Sequence, residues 1–179
     1  YTTLFDGGYY TERLQTTAIK TTNQQTLKKL QEENLTVCLK ALTLASHTAW
    51  GVNKFVFDIL VYCWEERIEV GGLIDREPLE LPVKPEGFGE DKQVTKEWSY
   101  HAGLIHDTNH ANKVKRFQIL SMIDTAKKYL GEKFYHVYQM DFTSRLYPVT
   151  AHFHPQGTDI ARGLHQFYEG AEIKTKKDA

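Results

Sequence analysis

The sequence predicts an α+β fold that is mainly α, and three observations carry that prediction. Residues 23 to 67 run 45 positions without a proline, with apolar residues near helical spacing. A second helical pattern covers about Thr95 to Gly131. Short runs of strand character, "FYHVYQ" and "RLYPVT", follow it. At 179 residues and 41% hydrophobic composition, the chain can bury one core or two small lobes.

Taken in order, the first 22 residues are rich in Thr, Gly and Tyr, and Asp6-Gly7-Gly8 marks a turn between extended pieces. No helix is expected before Asn23. Beyond it, Leu27, Leu30, Leu35, Cys38, Leu42, Val52, Phe55, Val56, Ile59, Leu60 and Cys63 mark the apolar faces of two long helices, or of one bent near "HTAWG". Gly51 costs about 1 kcal/mol relative to alanine in a helix. Segment 71–92 holds three prolines and four glycines in 22 residues, the pattern of a linker or functional surface loop. The next helix is expected to bury Phe117, Leu120, Ile123 and Leu130 and to stop at Gly131. "MDFTS" reads as a turn between the two short strands, and "TDIARGLHQFYEG" as a helix capped by Thr158 and ended by Gly170. The polar "KTKKDA" reads as a terminus. The resulting division is an extended segment 1–22, helices 23–70, a loop 71–94, and a helical and strand region 95–179.

A net charge of −1 and a pI near 6.8 exclude a nucleic-acid binder that works by bulk positive charge, and leave room for a local basic face. Cys38 and Cys63 lie in apolar helical sequence with no spacing of a zinc site or disulfide framework, which fits a reducing setting. There is no signal-peptide pattern and no apolar run of about 18 residues, so no membrane partner is expected.

Chemistry concentrates in "YQMDFTSRLYPVTAHFHPQGTDIARGL", Tyr138 to Leu164. The plainest reading is structural: an Asp141–Arg145 ion pair bracing a loop, Tyr135, Tyr138 and Tyr147 in the core, and Asp159 in the first turn of a helix, where the macrodipole favours an acid. A second is metal chemistry. His106 and His110 stand at i, i+4 on one helix face, and His152 and His154 alternate on one strand face. The His106-Asp107 doublet resembles that of helical metal-dependent phosphohydrolases, but the Glu that a metalloprotease carries beside its first His is missing. A third is contact with a polyanion by a stand-alone nucleic-acid-binding module, through Arg145, the tyrosine faces and Arg162. Lys113, Lys115, Arg116, Lys127 and Lys128 on one helix add to it, although they equally suit a solvated face.

Four ordered anchors then narrow the choice. "MDFTSRLYPV...HFHPQGTDIARGL" resembles the segment of phage-type single-subunit DNA-dependent RNA polymerases, a family with mitochondrial members, in which Asp-x-x-Gly-Arg is followed by Tyr and by Asn-Pro-Gln-Gly-x-Asp before Gly-Leu. "TLFDGGYY", "ASHTAWGVNKFVFDIL" and "LELPVKPE" resemble upstream segments of the same family in the same order. The resemblance runs from Thr3 to about Ile173. It departs at Ser144, where the family has glycine, and at Arg162, where it has lysine.

The resemblance implies a right-hand polymerase of which this chain is the thumb and the first part of the palm. Residues 23–66 would lean on the RNA–DNA hybrid, Arg145 and Tyr147 would reach the template strand and hybrid, Asp141 would brace their loop, and Arg162 would touch a template phosphate. It implies no catalytic residue in this chain and Mg2+ bound by residues outside it. The implied partners are the DNA template, the hybrid, a second polymerase subunit carrying the palm and fingers motifs, and accessory factors that deliver the promoter or bind single-stranded DNA. The chain is then a fragment or the smaller subunit of a split enzyme, in the cytoplasm of an infected bacterial host.

Overall fold

The computed structural model describes residues 4, 5, 7–9 and 16–170. The tail "KTKKDA" and Asp6 of the N-terminal turn lie outside the described residues. The order of elements is α1 (Gln24–Gln31), α2 (Thr36–Ser46), β1 (Trp50–Val52), α3 (Lys54–Glu65), α4 (Lys92–Lys128), β2 (Tyr138–Met140), β3 (Leu146–Pro148), α5 (Asp159–Leu164) and β4 (His165–Phe167). The molecule is mainly helical with short antiparallel strands, as its composition and periodicity predict.

The stretch read as two long helices is three shorter ones. The Asn23 side chain caps α1 by accepting from the amides of Gln25 and Thr26, and Asn53 caps α3 by accepting from Val56. Between α2 and α3 the chain extends as β1, because Trp50 and Phe134 exchange backbone hydrogen bonds of 2.8 and 3.0 Å and β1 pairs with β4. Gly51 sits in that strand, where a Cβ would come to 3.2 Å from the Tyr168 ring. The helix expected to end at Gly170 accordingly stops at Leu164. His165 to Phe167 lie opposite Val52 to Trp50.

α4 is 37 residues long, starts at the Asp91 cap and ends before Gly131, whose φ of 77° needs no Cβ. It buries Ala102, Ile119, Met122 and Ala126, while Phe117 is 70% and Leu120 45% exposed. The face expected from sequence is therefore turned; Ile123 and Leu130 are partly buried. Segment 71–91 is strapped along this helix. Asn109 gives its amide to the Leu79 carbonyl and accepts from the Leu79 N–H, Trp98 Nε1 donates to the Pro82 carbonyl, and the Arg116 guanidinium donates to the carbonyls of Asp75 and Glu77. Arg116 is thus a fastener of the loop.

Two apolar clusters form the core. One unites Val52, Phe57, Leu60, Trp64, Leu73, Ile119, Met122, Phe134, Phe153 and Leu164, and so packs α3, α4 and α5 together. The other unites Leu4, Ala18, Ile19, Leu27, Leu42, Tyr138 and Met140. Residues 134–140 contribute to both and join them.

Candidate nucleic-acid interface

β2 and β3 make an antiparallel hairpin whose loop is 141–145. The loop is closed by its own backbone: Asp141 N–H donates to the Arg145 carbonyl at 3.0 Å, and Ser144 N–H to the Asp141 carbonyl at 3.1 Å. The Asp141 carboxylate fills the turn. It accepts from the Thr143 N–H at 2.8 Å, from the Thr143 hydroxyl at 2.7 Å and from the Arg145 N–H at 2.9 Å. These donors hold its pKa below the ordinary carboxylate value, the Arg145 amide most of all and the Thr143 hydroxyl next. The brace therefore runs through the backbone of Arg145. Among the described residues the guanidinium of Arg145 makes no ion pair, and the residue is exposed.

Ser144 adopts φ of 62°. The position at which the resembling family carries glycine thus keeps, with a serine, a conformation that glycine favours.

Tyr147, two residues beyond Arg145, is 36% exposed, and the Lys20 ammonium stands 5.7 Å from its ring centroid. Tyr138 points the other way. It is 6% exposed and belongs to the core, where burial and Tyr9 raise its pKa. Of the two tyrosines nearest the loop, Tyr147 is the one that presents a face.

The Pro155-Gln156-Gly157 turn is tied to this hairpin, since Gln156 Nε2 donates to the Leu146 carbonyl at 2.9 Å. Gly157 leaves space there: a Cβ would come to 3.0 Å from the Ala161 Cβ and 3.2 Å from the His154 carbonyl oxygen. Thr158 then caps α5 by accepting from the Ala161 N–H at 3.3 Å. On α5, Arg162 forms an exposed ion pair with Asp159, one turn earlier. Such surface pairs contribute about 0–1 kcal/mol, and the guanidinium keeps further donors. Asp141, Arg145 and Tyr147 thus share one hairpin, and Gln156 fastens to it the turn that leads to Arg162.

The histidine cluster does not form. His106 and His110 are exposed on α4, His152 is exposed and His154 half-buried in a bend, and among the described residues no three His, Cys, Asp or Glu side chains are placed to hold a metal ion.

Two other histidines, passed over in the sequence, are buried together. His136 Nε2 and His165 Nε2 lie 2.9 Å apart, 3% and 9% exposed, among Trp50, Phe134 and Phe153. His165 Nδ1 stands 2.6 Å from the Ala161 carbonyl, which only accepts, so Nδ1 carries the proton and Nε2 accepts from His136. Thr150 Oγ1, 3.5 Å away, is left to donate to His136 Nδ1. Desolvation, then His165 and His154, lower the His136 pKa to about 3. A legible signal existed: Phe134, His136 and Tyr138 alternate onto one face of an extended segment.

No protein-family model matches the chain. Among known proteins it is similar to the mitochondrial DNA-directed RNA polymerase 1 of Arabidopsis thaliana, 30% identical over 148 residues that cover 82% of this chain and 15% of the relative. It is 29% identical to the T7 RNA polymerase of Escherichia phage T7 over 178 residues, 97% of this chain and 20% of the relative. It is likewise 29% identical to the DNA-directed RNA polymerase of Enterobacteria phage T3 over 171 residues, 93% of this chain and 19% of the relative. The chain spans at most about a fifth of the length of these relatives. Over most of its own length, the chain is homologous to a segment of the phage-type single-subunit DNA-directed RNA polymerases.

Proposed function

We propose that this chain works as part of a phage-type DNA-directed RNA polymerase and holds the template and the RNA–DNA hybrid during transcription. The observation that carries this reading is the 141–145 loop, a backbone-closed turn that fixes an arginine, without an ion pair among the described residues, beside an exposed tyrosine face. A guanidinium held in that way is poised for phosphate oxygens, and an aromatic face for a base or sugar. Asp141 keeps the loop in shape, Arg145 and Tyr147 contact the hybrid, and Arg162 contacts a template phosphate.

In this reading residues 23–70 belong to the thumb and the hairpin region of 95–179 to the first part of the palm, with 71–94 between them. The catalytic groups lie in a second polymerase subunit or in the remainder of the same polymerase, and accessory factors deliver the promoter or bind single strands. In this reading magnesium is bound by residues outside this chain. No helix among the described residues is long and apolar enough to cross a membrane. In this reading the polymerase acts in the cytoplasm of an infected bacterial host.

The test is RNA extension by the assembled polymerase on a primed RNA–DNA scaffold. A charge-assisted contact contributes about 1.5–3 kcal/mol, so Arg145→Ala should cut full-length product about tenfold or more while short abortive RNAs rise. Full-length product at the wild-type level would remove Arg145 from the interface. Failure of the chain to join an active polymerase when co-expressed with the remaining polymerase segments would remove the reading itself.

A further inference from the structure

We propose that the groove between residues 16–22 and the β2–β3 hairpin is a binding site for the phosphodiester backbone of a nucleic-acid strand, continuous with the Tyr147 face. The inference rests on the polymerase reading above and extends it to a surface that the Asp-x-x-Ser-Arg loop does not include. The groove is open, about 510 Å³, and lined by Thr16, Thr17, Lys20, Thr21, Thr22 and Gln139. These six residues hold four hydroxyls, one amide and one ammonium, with no carboxylate to repel an anion.

Two of the hydroxyls are set to donate, while Thr17 Oγ1 gives its proton to the Ile19 carbonyl at 2.7 Å. Thr16 Oγ1 accepts from Gln139 Nε2 at 2.5 Å, and Thr21 Oγ1 accepts from the Asn23 N–H at 3.2 Å. Among the described residues neither Thr16 nor Thr21 gives its hydroxyl proton to another acceptor, so each has one for a phosphate oxygen. Hydroxyls, amides and lysines are the side chains that contact nucleic-acid backbones without reading sequence. An open groove also suits a strand passing along it better than an enclosed small molecule.

The walls are fixed. Lys20 N–H donates to the Met140 carbonyl and Met140 N–H to the Ala18 carbonyl, both at 2.8 Å, while Gln139 Nε2 also reaches the Thr17 carbonyl at 3.0 Å. The groove and Tyr147 form one surface for a geometric reason. Gln139 is directly opposite Tyr147 in the hairpin register, so the two side chains share a face of the ribbon. Lys20 stands between them, exposed, with its ammonium 5.7 Å from the ring centroid. A strand with a base against Tyr147 meets this cation and then the row of hydroxyls.

Fluorescence anisotropy of the 179-residue chain with labelled single-stranded DNA, single-stranded RNA and an RNA–DNA hybrid, across a salt series, tests the site. Lys20→Ala should weaken binding about threefold to tenfold and lower the salt slope by about one, with Lys20→Arg restoring both. Thr22→Lys, at an exposed position, should tighten binding and steepen the slope by about one, and circular dichroism checks that each variant keeps its fold. An effect confined to DNA makes the template the occupant, one confined to RNA makes it the transcript, and either supports the site. If the wild-type chain binds none of the three, the polymerase reading fails and this site fails with it. If it binds and Arg145→Ala weakens it, while Lys20→Ala and Thr22→Lys change neither affinity nor slope, the groove assignment is overturned and that reading stands.

Discussion

Ser144 carries a positive φ of 62° in a loop that its neighbours close tightly. A side chain in that region costs about 1–2 kcal/mol, whereas glycine's extra freedom in the unfolded chain costs about 0.5–1 kcal/mol. The first term wins, so Ser144→Gly should stabilise the chain by up to about 1 kcal/mol, read as a higher urea midpoint; a lower midpoint would mean that the serine hydroxyl compensates for the strain. The neighbouring acid makes a separate prediction. Because Asp141 acts on Arg145 through the backbone, Asp141→Ala should weaken hybrid binding nearly as much as Arg145→Ala, and the double variant hardly more than either. Additive losses in a double-mutant cycle would show that Asp141 and Arg145 act independently.

At the level of elements, what the sequence disclosed followed its local signals. Asn23, Asn53, Asp91 and Thr158 all cap helices with their side chains, and Gly131 ends α4 with a positive φ. The Asp141 turn was also readable, because turn chemistry is short-range, but its bond goes to the Arg145 amide where a side-chain ion pair is one expectation, and the sequence leaves open the choice of Tyr147 over Tyr138 as the exposed ring. The three-residue strands β1 and β4 were hidden. Each is too short to show a period, and what selects them is pairing across more than a hundred positions, Trp50 with Phe167. The face of α4 was misjudged for a related reason: Trp98, Asn109 and Arg116 fasten the 71–91 strap by polar contacts that a hydrophobic count cannot register. This phase can be checked by substitution. Ile119→Ala should cost about 3 kcal/mol as a buried truncation, while Phe117→Ala, at a position 70% exposed, should stay within about 0.5 kcal/mol. Equal losses in urea unfolding would put Phe117 in the core.

On the scale of the whole molecule, the two apolar clusters meet along residues 134–140, and the buried histidine pair sits at that seam. His136 precedes the hairpin that carries Arg145, and His165 follows the helix that carries Arg162, so their contact joins the two supports of the candidate interface. The chain of donors from Thr150 through His136 and His165 to the Ala161 carbonyl is one of neutral rings: a proton added to His165 sets two N–H groups against each other across 2.9 Å, and one added to His136 goes on Nδ1, reverses the bond to the Thr150 hydroxyl and places a charge in a buried site. The charged groups nearest the pair do not relieve this, because His154 lowers both pKa values further. The consequence for stability has a definite sign. In the unfolded chain His136 takes up a proton near its ordinary value of 6.5, while in the folded chain it does so only near about 3. The unfolded state therefore binds more protons throughout that interval, and folding stability falls as pH drops from 6.5 toward 3, by up to about 1.4 kcal/mol per pH unit from this one group. His154 and His165, both lowered mainly by burial, act in the same direction. Urea unfolding at a series of pH values should show this decline, and His136→Gln, which keeps hydrogen-bonding groups but cannot titrate, should flatten it. A decline of the same slope in that variant would assign the acid sensitivity to other groups and leave the seam held by packing alone.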